Sequence, residues 1–255
     1  MKESGFYGYV NGIRNETEIV GAVNGKKYCD LTDHLRKIIN KMFPKIQNGD
    51  LISVKKVPGF AKADLEFTVD GESHYLSVKY GASSQVHCEQ ISIFIEWLKE
   101  HNFTQEIIDL FLFYHYGDGT KDGSGIKRMS QKEVLSTYSD YILRLNEALN
   151  SDRFVVRDFV KRVVFEGNDI LKQNADYIYH GDIEEGEICS KESVLQYVKR
   201  KTFSRLINVH IGPIMIRPYA RYLSGVETHP EKRHQVTFEW NRMEWDFEYI
   251  NEWKF

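Results

Sequence analysis

Apolar and polar residues alternate strictly around residues 65–69. Leu65, Phe67 and Val69 are interleaved with Asp64, Glu66 and Thr68, a period of two that predicts a β-strand. Asp70-Gly71 follows as a hairpin turn, and in the next segment Leu76 and Val78 face one way while Ser77 and Lys79 face the other. Upstream the period changes: Leu31, Leu35, Ile38, Ile39 and Met42 recur at three and four, which predicts a helix over 31–43 capped by Asp30 or Thr32 and ended by Pro44. Residues 51–57 read as a strand, and 15–23 as a short helix in an otherwise featureless start. Beyond the hairpin, Ile91, Phe94, Ile95 and Leu98 form one face of a helix predicted over 84–100, with Gln85, Glu89, Ser92 and Glu96 opposite. The order to residue 100 is helix, strand, strand, strand, helix.

The next 70 residues read as helices: 104–114, 130–150 opened by a Ser130/Glu133 capping box, and 152–165. The loop 117–128, GDGTKDGSGIKR, separates the first two. It lacks the acidic series and terminal glutamate of a calcium-binding EF-hand and the Gly-Lys-Ser/Thr ending of a nucleotide phosphate loop. A strand at 176–179, an acidic turn and a basic helix at 191–201 follow. Strands at 214–219 and 235–240 come next, and an aromatic closing segment ends the chain. No linker or internal repeat divides it, so the expectation is one mixed α/β domain over 1–255, with a core at 1–103, a helical lobe at 104–170 and a strand-and-basic region at 171–255.

Composition narrows the function classes. Hydrophobic content of 42% and charged content of 28% are ordinary for a globular protein, no apolar run suits a membrane span, and the first residues lack a signal-peptide core. The cytoplasm is the expected location. Cys29, Cys88 and Cys189 are scattered and predict neither a disulfide framework nor a zinc site. His87-Cys88-Glu89 has the His-x-Glu of zinc deaminases but no downstream Pro-Cys-x-x-Cys. Net charge is only −3, yet residues 190–221 carry Lys191, Lys199, Arg200, Lys201, Arg205, Arg217 and Arg221 against the single acid Glu192. A segregated basic segment on a near-neutral chain fits either a solvated helix face or a nucleic-acid surface on one side.

Asp64 and Lys79, on the polar faces of neighbouring strands, suit metal-assisted phosphodiester hydrolysis: the carboxylate holds a divalent cation and the ammonium steadies charge or orients water. The segment 62–89 resembles the core of the PD-(D/E)XK nuclease superfamily, with Ala63-Asp64 where Pro-Asp is common and Ser77-Val78-Lys79 where Glu-x-Lys is usual. The resemblance covers about 30 residues of the 255 and rests on few identities. It implies a restriction endonuclease-like sheet flanked by helices, a Mg²⁺ or Mn²⁺ cofactor and a DNA substrate. Asp64, Ser77 and Lys79 would be catalytic. The second carboxylate would come from Glu89 on the following helix or from Glu66 beside Asp64. Of Glu16 and Glu18 on the first helix, one would be a further ligand, with Glu16 the candidate, or both are surface glutamates.

Nucleic-acid contacts are expected from Gln85, His87, Arg128, Lys199, Arg200, Lys201, Arg217 and Arg221. A homodimer is the arrangement that would cut both strands of a palindromic site. Two other readings stay open: a catalytically inactive nucleic-acid-binding protein on the same fold, and a nuclease for RNA or structured junctions.

Overall fold

The computed structural model describes residues 4–59, 61–81, 85–169, 171–203, 208–219 and 229–253, with side chains from Gly12 onward. In chain order the first elements are α1 (Ser4–Val23), β1 (Lys26–Lys27), α2 (Asp33–Met42), β2 (Leu51–Lys56), β3 (Leu65–Val69), β4 (Glu72–Lys79) and β5 (Gln85–Gln90). Helices α3 (Ile91–Glu100), α4 (Gln105–Tyr116), α5 (Gln131–Thr137), α6 (Ser139–Leu149) and α7 (Arg153–Val160) follow, and the last runs into a π-helical stretch, Lys161–Glu166. The chain then forms β6 (Tyr177–Gly181), β7 (Gly186–Ser190), α8 (Lys191–Arg200), β8 (His210–Ile211), β9 (Ile214–Pro218), β10 (Gln235–Glu239) and α9 (Met243–Glu252).

These elements gather into two compact units, one of residues 1–84, 161–197 and 242–255, the other of 85–160 and 198–241. Continuity in sequence therefore does not follow continuity in space. The boundaries expected at 103 and 170 each fall inside a unit.

The first unit is built on a six-stranded sheet in the order β1-β2-β3-β4-β6-β7. Its neighbours are antiparallel except for the parallel pair β4 and β6, so the sheet is mixed. The alternation at 65–69 is explained directly: Leu65, Phe67 and Val69 are buried in a core with Leu76, Val78, Ile19 and Val23 of α1, and Leu35, Ile38, Ile39 and Met42 of α2. Burial of each such side chain contributes about 1.5–3 kcal/mol, which fixes the register because a one-residue slip would turn the whole set outward. Asp70 and Gly71 both have positive φ, 48° and 81°, the geometry a tight hairpin of this hand requires. Thr32 caps α2, its side chain accepting from Leu35 N at 3.4 Å.

The second unit carries a four-stranded antiparallel sheet in the order β5-β10-β9-β8. Phe94 of α3 is the centre of its core, with ring centroids 4.9 Å from Phe111, 5.9 Å from Phe159 and 5.4 Å from Phe238. Loop 117–128 is folded around Asp118, which accepts from Thr120 N and Oγ1 at 2.8 Å, from Gly125 N at 3.0 Å and from Arg233 Nη2.

Four expectations need correction. The helix over 84–100 is a strand followed by a shorter helix, because residues 85–90 pair with β10. The helix over 130–150 is two, broken at Tyr138, whose φ of −110° and ψ of 26° leave helical geometry, although the Ser130/Glu133 capping box is present as expected. The acidic turn after β6 contains the start of β7, which pairs back on β6. Finally, the opening helix is not short but 20 residues long.

Candidate active site

The β3–β4 hairpin assembles the site by register alone. Leu65 faces Leu76, so Asp64, one residue before β3, comes to lie beside Ser77; its backbone N–H donates to Leu76 O at 2.9 Å. The Asp64 carboxylate then accepts three bonds on one oxygen. Oδ2 receives the Val78 backbone N–H at 2.6 Å, the Ser77 hydroxyl at 3.2 Å and the Lys79 ammonium at 3.5 Å. Lys79 Nζ is held at the same time by Val78 O at 2.9 Å. Ser77 is 1% exposed, whereas the side chains of Lys79 and Asp64 are 20% and 23% exposed. Oδ2 is thus fixed by the protein, and among the described residues none of these three bonds falls on Oδ1.

Glu16 joins this group from α1. The helix docks through Ile19 and Val23, both buried, and through Asn15, whose Nδ2 donates to Gly181 O at 2.8 Å. That orientation brings Glu16 to Lys56 at the end of β2, at 3.1 Å. Burial first, and then the negative charge of Asp64, raise the Glu16 carboxyl above its usual 4.5; Lys56 and Lys79 oppose the rise. Two carboxylates and two ammoniums therefore share one field. Tyr80, which follows Lys79, and Asn15, which precedes Glu16, line an open cleft of about 480 Å³ with Arg14, Asp182 and Glu184.

The donor set suits a hard divalent cation. Among the described residues no three His, Cys, Asp or Glu side chains converge. Mg²⁺ is commonly bound by only one or two carboxylates, with water and substrate phosphate oxygens completing its shell. Glu16, paired with Lys56, and Asp64 are the carboxylates that could serve such a cation; the charge of Asp64 acting on Glu16 is one that a cation would offset.

The remaining expected site residues are distributed as follows. Glu66 is two positions along β3 and is engaged by Lys55 at 3.2 Å and by the Ser73 hydroxyl at 3.4 Å. Glu89 is not on a helix; it is in β5, its side chain 1% exposed and 3.2 Å from His87 Nε2. The periodicity at 84–100 misassigned it because the strand runs into the helix without a break. His87 stacks on Phe238, 5.9 Å away with planes 10° apart, and Gln85 is exposed at the start of β5. Arg217 on β9 pairs with Glu239 at 3.1 Å. Lys199 and Arg200 end α8, Lys201 follows it, and Arg128 is half-buried at the end of the glycine loop. Arg205 and Arg221 lie outside the described residues. Sequence reasoning missed Lys56, whose signal was the Lys55-Lys56 pair closing a strand, and the Val78 N–H, which leaves no signal in side-chain identity.

No protein-family model matches the sequence, and no curated protein matches it significantly. Among solved structures the chain is similar to restriction endonuclease MspI, determined in complex with its cognate DNA. The TM-score is 0.57 at 15% identity, over 93% of this chain and 92% of that one. An identity that low speaks for architecture rather than chemistry. The protein has a restriction endonuclease-like fold, a mixed sheet flanked by helices.

Proposed function

We propose that this protein is a metal-dependent endonuclease that hydrolyses DNA phosphodiester bonds. The observation that carries the reading is the fixed group of Asp64, Ser77 and Lys79, joined by Glu16, on a fold shared with a DNA-cutting enzyme. Asp64 and Glu16 would hold Mg²⁺ or Mn²⁺, which when bound supplies Lewis-acid stabilisation of charge on the phosphate. Glu16 takes the role first given to Glu89, since Glu16 lies in the field of Asp64 while Glu89 is buried against His87. Glu66 is committed to Lys55.

The chain's own groups have separate tasks. Val78 N–H and Ser77 Oγ immobilise one oxygen of Asp64, so that the other is presented in a fixed direction. Two of the three Lys79 N–H groups are taken by Asp64 Oδ2 and Val78 O; the third donates to the attacking water and orients it, while the positive charge stabilises the charge that grows on the phosphate. A P–O bond to water forms and a backbone P–O bond breaks; the attacking water loses a proton to solvent and the leaving oxygen takes one from solvent water, giving a phosphate monoester and a hydroxyl. Gln85, His87, Arg128, Lys199, Arg200, Lys201 and Arg217 are the proposed nucleic-acid contacts.

The test is cleavage of supercoiled plasmid and of single-stranded RNA with Mg²⁺ or Mn²⁺. Metal-dependent cutting of plasmid but not RNA is the expected result. One observation favours a second reading, a binding protein without chemistry: Ser77 stands where the usual acid would be and spends its hydroxyl on Asp64. Duplex binding with no cleavage of any DNA would select it.

A further inference from the structure

In the second unit, two segments far apart in sequence build one exposed cationic surface. Arg153, Phe154 and Arg157 are exposed on α7, and Lys199, Arg200 and Lys201 are exposed at and just after the end of α8. The two are tied together across 46 residues: Arg153 Nη1 donates to Lys199 O at 3.4 Å, and Lys199 Nζ lies 5.7 Å from the centre of the Phe154 ring. Phe154 itself is 69% exposed. Of the acids beside these cations, Asp152, just before α7, accepts from Phe154 N at 2.7 Å, and Asp158 of α7 lies 3.2 Å from His101 Nε2.

Helix electrostatics do not account for all of these cations. Lys199 and Arg200 sit at a helix C-terminus, where positive charge complements the dipole. Arg153 sits in the first turn of α7, where positive charge opposes it. An aromatic ring as exposed as Phe154 gains nothing from burial either. Arg157, in the last turn of α7, is placed as the dipole favours, so folding stability leaves Arg153 and Phe154 unexplained, and an external anion explains them. The Phe154 face keeps the Lys199 ammonium at the surface by cation–π attraction, while the two arginines offer forked donors that match phosphate oxygens.

We propose that this α7–α8 surface grips the DNA phosphate backbone, with Arg153, Arg157 and Lys199 as its principal contacts. The choice of DNA as the polyanion rests on the nuclease reading above. The contact is with phosphates rather than bases, so it sets affinity and placement on the duplex and not sequence preference.

The test is fluorescence anisotropy of a labelled DNA duplex over a series of salt concentrations, with EDTA present so that nothing is cut. Proteins compared are wild type, Arg153→Gln/Arg157→Gln/Lys199→Gln, Lys79→Ala, and a charge-matched control, Lys26→Ala/Lys27→Ala/Lys45→Ala, at exposed positions of the first unit. Each lost phosphate contact lowers the slope of log K against log salt by about 0.9, so the patch variant is expected to lose roughly 2 to 3. The control should keep the wild-type slope, and matching circular dichroism melts confirm that the variants fold. An unchanged slope in the patch variant, an equal loss in the control, or failure of wild type to bind duplex would overturn the proposal. So would patch-dependent binding to phosphatidylserine vesicles without binding to duplex. Plasmid cleavage with an unchanged slope would overturn the patch alone; a patch-dependent slope without cleavage would support the patch and overturn the nuclease.

Discussion

Ser77 is the residue on which the chemistry of the site can be read most sharply. Its side chain is buried and donates to Asp64 Oδ2 at 3.2 Å, beside the stronger 2.6 Å bond from Val78 N. Ser77→Ala removes one hydrogen bond to a charged acceptor, a loss of about 1.5–3 kcal/mol. If all of it were felt in the placement of Asp64 at the transition state, cleavage would slow roughly 10- to 150-fold. The Val78 N–H remains, so the expected loss in kcat/KM is about tenfold, with metal dependence unchanged. Ser77→Asp is the informative partner. It restores the acid of the usual motif but buries a second carboxylate against Asp64, and is expected to destabilise the fold by about 3 kcal/mol or more. Single-turnover plasmid cleavage and urea unfolding measure both effects. A folded Ser77→Ala protein with no detectable cutting would refute the supporting role, and a Ser77→Asp protein that cuts faster than wild type would show that position 77 is a ligand position after all.

Arg233→Met leaves Asp118 buried without its cation, since the two side chains are 11% and 0% exposed. The expected cost is about 3–5 kcal/mol in urea unfolding, and a loss under 1 kcal/mol would be inconsistent with the ion pair. Glu16→Gln should abolish metal-dependent cleavage and alter stability with a defined pH dependence. A carboxyl whose folded pKa is raised costs nothing below its unfolded value of 4.5 and costs fully above its folded value. The variant should therefore be more stable than wild type near neutral pH, and its advantage should fade as pH falls through the raised folded pKa and be gone below 4.5; an advantage that grows in acid would contradict the assignment. Glu89→Gln should keep metal-dependent cutting, and loss of cleavage in a folded protein would return the second carboxylate to β5.

The hairpin was legible in the sequence because all of its determinants are local. Alternation at 65–69 and the Asp70-Gly71 turn need no distant partner. Strand β5 was not, because Val86-His87-Cys88-Glu89 acquires strand geometry only by pairing with β10, where Glu89 faces Val236. With that partner hidden, its apolar spacing merged with the helix behind it. The break at Tyr138 leaves no proline or glycine to announce it. In the site, Asp64 and Lys79 were legible through register. The place of Glu16 depends on how α1 docks through Asn15, Ile19 and Val23, a packing outcome that spacing does not encode.

The central claim is that Lys79, anchored between Asp64 Oδ2 and Val78 O, acts directly in metal-dependent hydrolysis of DNA. Its most direct test is the single-turnover rate of plasmid cleavage in Mg²⁺ for wild type and Lys79→Ala, with duplex binding measured in EDTA on the same preparations. Lys79→Ala is expected to bind duplex like wild type and not to cut it. A Lys79→Ala protein that cuts at the wild-type rate would contradict the claim.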